Sequence, residues 1–148
     1  MAIFVINEWL WADSFGDNGP ERQKQAFNAI VKLATSEHQI VVIEGSSFDE
    51  KAWKLCKSTD TTVVGIAKTY LNILRFDSNR CLLLKPDDTV AVPKHLSGSI
   101  KDDDQYLVRA QVSVSGAILV TTDEPLRNAV SQAGLTCISR EEFLNTCF

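Results

Sequence analysis

This chain of 148 residues lacks most of the features that would assign it quickly. No apolar run approaches the ~20 residues of a membrane-spanning helix, which excludes an integral helical membrane protein. The apolar opening Ala2–Ile6 has no basic stretch ahead of it and runs straight into Asn7-Glu8-Trp9. It reads as a first strand rather than a secretory signal. The four cysteines, Cys56, Cys81, Cys137 and Cys147, form no CxxC pair. They read as scattered free thiols in a reducing cytosol, so a cytoplasmic location is expected. His38 and His95 lie near no cysteine, which leaves a zinc site without a ligand pattern. Glycine-rich phosphate loops and a GxSxG elbow are both missing. Positive charge is not in excess: 15 Lys and Arg against 19 Asp and Glu give a net charge of −4. That argues against coating nucleic acid by bulk charge.

What is present suits one globular domain over residues 1–148. Hydrophobic residues make up 45% and charged residues 23%, and a chain this long buries roughly two-thirds of its unfolded surface. Ala2–Ile6 and Gln39–Ile43 read as strands buried on both faces. A polar loop over 13–20 separates the first strand from a helix opened by Pro20 in the favoured first turn. Ser47 with Glu50 three residues on predicts a capping box for the next helix. Thr61–Val64 reads as a short strand and 66–76 as a helix. Cys81–Leu84 and Thr89–Val92 read as strands around a Pro-Asp-Asp turn, and Ser97–Ser99 as a loop. Asp102-Asp103-Asp104 opens a helix through Ser115, with its acids at the positive end of the dipole. Ile118–Val120 is a strand, 125–133 a helix closed by Gly134, Thr136–Ile138 a strand, and Ser139 caps a last helix. The alternation predicts an α/β fold, three layers around a central, mainly parallel sheet.

In such sheets ligands bind beyond the carboxyl ends of the strands. Acids fall there three times: at Asn7-Glu8, at Thr121-Thr122-Asp123, and at Asp102–Asp104 on the helix leading into that last strand. Converging carboxylates repel, and hard divalent cations with oxygen preference relieve the repulsion. Mg²⁺ or Mn²⁺ on such acids suits phosphodiester hydrolysis. Each acid also has a structural reading: Asp123 as a helix N-cap, Asp102–Asp104 as a solvated helix start, Glu50 as the partner of Ser47, Asn7 as a turn residue. Trp9, Trp11 and Trp53 read as core rather than base-stacking residues, and Arg109 and Ser113 as helix-surface residues. His38 reads as a helix cap or solvated. Residues 51–85 hold seven basic against two acidic side chains. Lys51, Lys54 and Lys57, three apart, predict one basic helix face able to hold a phosphate backbone.

The segments Asp104-Gln105-Tyr106-Leu107-Val108-Arg109-Ala110 and Ala117-Ile118-Leu119-Val120-Thr121-Thr122-Asp123-Glu124-Pro125-Leu126 resemble the end of a PIN domain. That family has an Asp opening a helix, then a hydrophobic strand ending in Val-Thr-x-Asp, a helix, a short strand and a closing helix. The ending Ile138–Leu144 is similar in style. The resemblance covers residues 102–146 and 2–12 and is topological between them. It implies a metal-dependent endoribonuclease, of the kind that often serves as the toxin of a toxin–antitoxin pair. RNA, an antitoxin-type protein partner and a homodimer are then the expected partners, with no membrane. Carried across residue by residue, it places metal ligation on Asp123 and on Asp104, with Asp103 next to it. The family's glutamate falls on Glu50, with Glu44 as the competing position. The departure is Asn7, where the family usually has Asp, with Glu8 one residue on as the available substitute. Asn7 motivates a second reading, a PIN-like module with weakened catalysis that binds nucleic acid or protein. A response-regulator-like receiver is a third, but Ser139-Arg140 stands where a lysine would be needed after a late strand.

Overall fold

The fold is described from a computed structural model, covering residues 1–146. Cys147, one of the predicted free thiols, lies outside the described residues; Cys56, Cys81 and Cys137 are free. Five strands, β1 (Ile3–Ile6), β2 (Gln39–Ile43), β3 (Cys81–Leu84), β4 (Ile118–Val120) and β5 (Cys137–Ile138), form one all-parallel sheet in the order β3-β2-β1-β4-β5. Side chains alternate across it. Phe4 and Ile6 of β1, with Ile40 and Val42 of β2, enter one core, while Val5, Val41 and Ile43 enter the other. Both faces are covered, which is why these strands read as continuous apolar runs rather than alternating ones.

The first core is closed by α1 (Trp9–Phe15), α2 (Pro20–Thr35), α3 (Ser47–Leu55), α4 (Thr61–Tyr70) and α8 (Arg140–Thr146). The second is closed by α5 (Lys94–Ser97), α6 (Gln105–Ser113) and α7 (Glu124–Gln132). The predicted three-layer α/β/α arrangement is therefore present, with eight α-helices among the described residues.

Several local expectations are corrected. Thr61–Val64 is not a strand but the first turn of α4. Asp60 accepts from the Thr62 and Val63 N–H groups and starts the helix despite the β-branched run. That helix passes into a π-turn over Leu71–Arg75. Thr89–Val92 pairs with no strand. The Arg109 guanidinium donates to Pro86 O and Thr89 Oγ1, and Ser113 Oγ accepts from the Val90 N–H, so α6 pins this stretch as a loop. Arg109 and Ser113 are thus tethers and not idle surface. Ser46, not Ser47, caps α3, accepting from the Asp49 N–H at 3.4 Å. Asp102–Asp104 is a separate 3₁₀ turn ahead of α6. His38 accepts the Ala2 N–H at Nδ1, 3.0 Å away, and packs edge-on to Phe4. Trp9 and Trp11 are core, whereas Trp53 is 44% exposed against Phe76.

The predicted 13–20 loop shrinks to residues 16–19, because Asp13, Ser14 and Phe15 belong to α1, where Asp13 and Ser14 are buried. Asp13 is 1% exposed and forms an ion pair with Arg140 of α8 at 2.8 Å, and Arg140 also donates to Gln25 of α2. A second buried pair joins Asp49 to Arg75 at 2.8 Å. Removing one partner of such a pair strands the other charge in low dielectric. Asp13→Ala should therefore lower the unfolding free energy by about 3–5 kcal/mol, measured by urea denaturation; a loss within the ~1 kcal/mol of a surface pair would show that Arg140 is resolvated.

Candidate functional site

The chain lays β2 and β3 outward on one side of β1, then returns to place β4 on the other side. The crevice at the carboxyl ends of β1 and β4 is thus the topological switch point, where a parallel sheet opens between diverging connections. The main chain is fastened there. The carbonyl of Val120, last residue of β4, accepts the Asn7 N–H at 3.0 Å and the Trp9 indole N–H at 3.1 Å.

Three residues bridge the two strand ends. Asn7 Nδ2 donates to Thr121 Oγ1 at 2.8 Å, and the same hydroxyl oxygen accepts the Asp123 N–H at 3.1 Å. Asn7 Oδ1 accepts the Glu8 N–H at 2.7 Å. The amide at position 7 is thereby a connector: both ends are engaged, leaving only a second lone pair on Oδ1 for a ligand. Asp123 is the N-cap of α7, with Oδ1 accepting the Leu126 N–H at 3.1 Å. Its structural reading is therefore correct, and its other oxygen remains free of that cap.

Asp104 reaches the same crevice from the 3₁₀ turn before α6. Its carboxyl is raised above the ordinary value, first by burial, then by the charge of Asp123, with Asp103 and Glu8 adding to it and Lys101 opposing. Asp123, nineteen positions on in sequence, is thus the first of the like charges that act on Asp104. Asp103 is exposed. Glu8 behaves differently. Burial pushes its carboxyl up, but hydrogen bonds from Lys51 and Ser47 and the Lys51 charge outweigh this and hold it below its ordinary value. Ser47 Oγ donates to Glu8 Oε1 at 2.8 Å, and Lys51 Nζ lies 2.8 Å from the same oxygen. The Tyr106 hydroxyl is buried beside this carboxylate without a well-formed hydrogen bond. Burial and the charge of Glu8 push it far above its usual range.

Glu50 is exposed on α3 and Glu44 exposed at the end of β2, and neither is among the charges that act on Asp104. The site so defined contains Asp104, Asp123, Glu8 and Asn7, with Thr121, Ser47 and Tyr106 as supports. Thr121 and Tyr106 stood inside the quoted motifs, but a hydroxyl's role as a junction has no sequence spacing to announce it. The lysine face is shorter than expected. Lys51 is tied to Glu8, and Lys51 and Lys54 line one cleft, but α3 ends at Leu55, so Lys57 does not continue their row.

Among the described residues no three acids, histidines or cysteines stand close enough to form a preformed metal cage. The donor set is nonetheless all oxygen. Mg²⁺ is commonly held by one or two carboxylates plus substrate phosphate, keeping several waters. Two acids that repel each other in a partly desolvated crevice suit that mode. No protein-family model and no curated protein matches this chain.

The Asp104 shift has a stability consequence of definite sign. A carboxyl raised by folding destabilises the folded state when ionised. That penalty is absent below the ordinary 3.8 and complete above the raised value. Asp104→Asn should therefore stabilise the protein near neutral pH, by an amount that shrinks to nothing as pH falls below 3.8. Denaturation midpoints measured across this range test it; a gain independent of pH would mean that the partly buried Asp104 charge is not its origin.

Proposed function

We propose that this chain is a PIN-like endoribonuclease that hydrolyses RNA phosphodiester bonds with Mg²⁺ or Mn²⁺ at the β1–β4 switch point. What supports the reading is the charge of Asp123 acting on Asp104, two acids from separate elements whose repulsion a cation would relieve. Asp104 and the uncapped oxygen of Asp123 would hold the ion. When bound, such an ion supplies water activation and neutralises charge developing on the phosphodiester. The remaining residues position. Asn7 and Thr121 fix the two strand ends, Ser47 and Lys51 keep Glu8 ionised, and Lys51, half exposed, can exchange its carboxylate partner for a phosphate oxygen.

A specific observation favours a second reading, a nucleic-acid-binding module with weakened catalysis. The Asn7 amide is neutral and doubly hydrogen-bonded, and Glu8 is already neutralised by Lys51. Both reduce the negative charge available to a cation.

Asn is as good an N-cap as Asp, so Asp123→Asn keeps the start of α7 while removing the charge. It should lower Mn²⁺-dependent cleavage of single-stranded RNA by about 100-fold or more, with urea stability near that of the parent. Undiminished cleavage would remove Asp123 from the chemistry. Asn7→Asp should tighten Mn²⁺ binding, followed by tryptophan fluorescence, and raise the cleavage rate. Parent protein that shows neither Mn²⁺ binding nor cleavage, with both gained in Asn7→Asp, selects the weakened-module reading.

A further inference from the structure

Beside the acid crevice lies a feature that the proposed chemistry does not use. Glu8, the residue that precedes α1, and Trp11, Ala12 and Phe15 within it recur at helical spacing, and Lys51, Lys54 and Leu55 do so along α3. Together with Asp17 these faces line one open cleft of about 340 Å³, within the range of pockets that hold small ligands. Its floor is apolar and aromatic. Trp11 is buried, Leu55 half-buried, and Phe15 is 50% exposed. Its rims differ in sign: the α3 rim carries two exposed ammonium groups, and the α1 side carries Glu8 and the exposed Asp17. Glu8 belongs to this cleft and also acts on Asp104, so the cleft adjoins the acid crevice.

We propose that this cleft is a subsite for one unpaired nucleotide of single-stranded RNA, next to the bond cleaved; the inference rests on the ribonuclease reading and names how its substrate is held. An apolar peptide would fill the floor but leave the exposed ammonium of Lys54 unmatched, Lys51 being tied to Glu8. A nucleotide meets each element. Its base stacks on the Phe15 ring, a mode open to any base because every base has a π-face. Its phosphate lies along Lys54 and the half-exposed Lys51. Asp17, in the same lining, accepts from a donor on the base edge, either an exocyclic amine or the N3–H of uracil. A base paired in a duplex presents no free face, so the subsite selects single strands.

The test uses the full chain and a fluorescein-labelled RNA hexamer in EDTA, read by anisotropy, so that binding is measured without cleavage. Hexaadenylate should bind more tightly than hexauridylate. Phe15→Ala should weaken hexaadenylate about 10-fold, and Phe15→Trp should restore it. Lys54→Ala should reduce the slope of log affinity against log salt by about 1. Circular dichroism of each variant confirms that the fold is retained. Equal hexaadenylate binding by the parent and Phe15→Ala proteins would overturn the subsite, and so would equal binding of an abasic hexamer, which would leave the cleft to an apolar peptide. The two readings fail separately. Mn²⁺-dependent cleavage with Phe15-independent binding removes only the subsite, whereas Phe15-dependent binding without cleavage in Mn²⁺ removes only the nuclease.

Discussion

The carbonyl of Val120 is the point on which the site depends. It closes β4, and both of its lone-pair directions are taken by donors from the segment leaving β1, the Asn7 N–H and the Trp9 indole. Through it, two strands remote in sequence end at one level. Thr121 and Asn7 then meet side chain to side chain, and Asp123 is turned back over the strand ends by the Thr121 hydroxyl. Without that alignment Asp123 would be only a helix cap, and Asp104 would lose the first of the like charges that act on it.

The crevice also shows how a fold tolerates repelling acids. Stabilisation is supplied elsewhere, by apolar cores on both faces of the sheet and by two ion pairs sealed among the helices of the first core. In those pairs each buried carboxylate meets a guanidinium in place. Among the described residues neither Asp104 nor Asp123 forms an ion pair, Lys101 acting on Asp104 only by its field, whereas Glu8 meets Lys51 directly. The contrast separates charges placed for architecture from charges left unsatisfied at a surface where a ligand can arrive.

Much of this was legible in the residues, for identifiable reasons. β1, β2 and β4 are buried on both faces, so their apolar runs needed no context. Asp123 and Asp104 stood out because they follow or precede such runs, and the resemblance joined them. What was not legible depended on contacts made across the fold. Asp13 and Ser14 interrupt the apolar pattern of α1 and make it look like a loop. Only Arg140, and the backbone of Leu10 accepting the Ser14 hydroxyl, show why polar groups belong inside. The Thr-Thr-Val-Val run at 61–64 favours a strand by local preference, and a single cap at Asp60 reverses it. Trp53 sits at a helical position that suits a core residue, yet its face of α3 turns to solvent and Phe76.

The Asp13–Arg140 pair has a consequence for the order in which the molecule is made. Its partners are separated by 127 positions, so a chain emerging from the ribosome must carry an unneutralised carboxylate on α1 until Arg140 is synthesised. During that interval α1 cannot settle against the sheet without burying a lone charge. β4 and β5, which complete the sheet, also arrive late. Final closure of the first core therefore waits on the synthesis of α8, and a nascent chain halted before residue 140 would hold that core open.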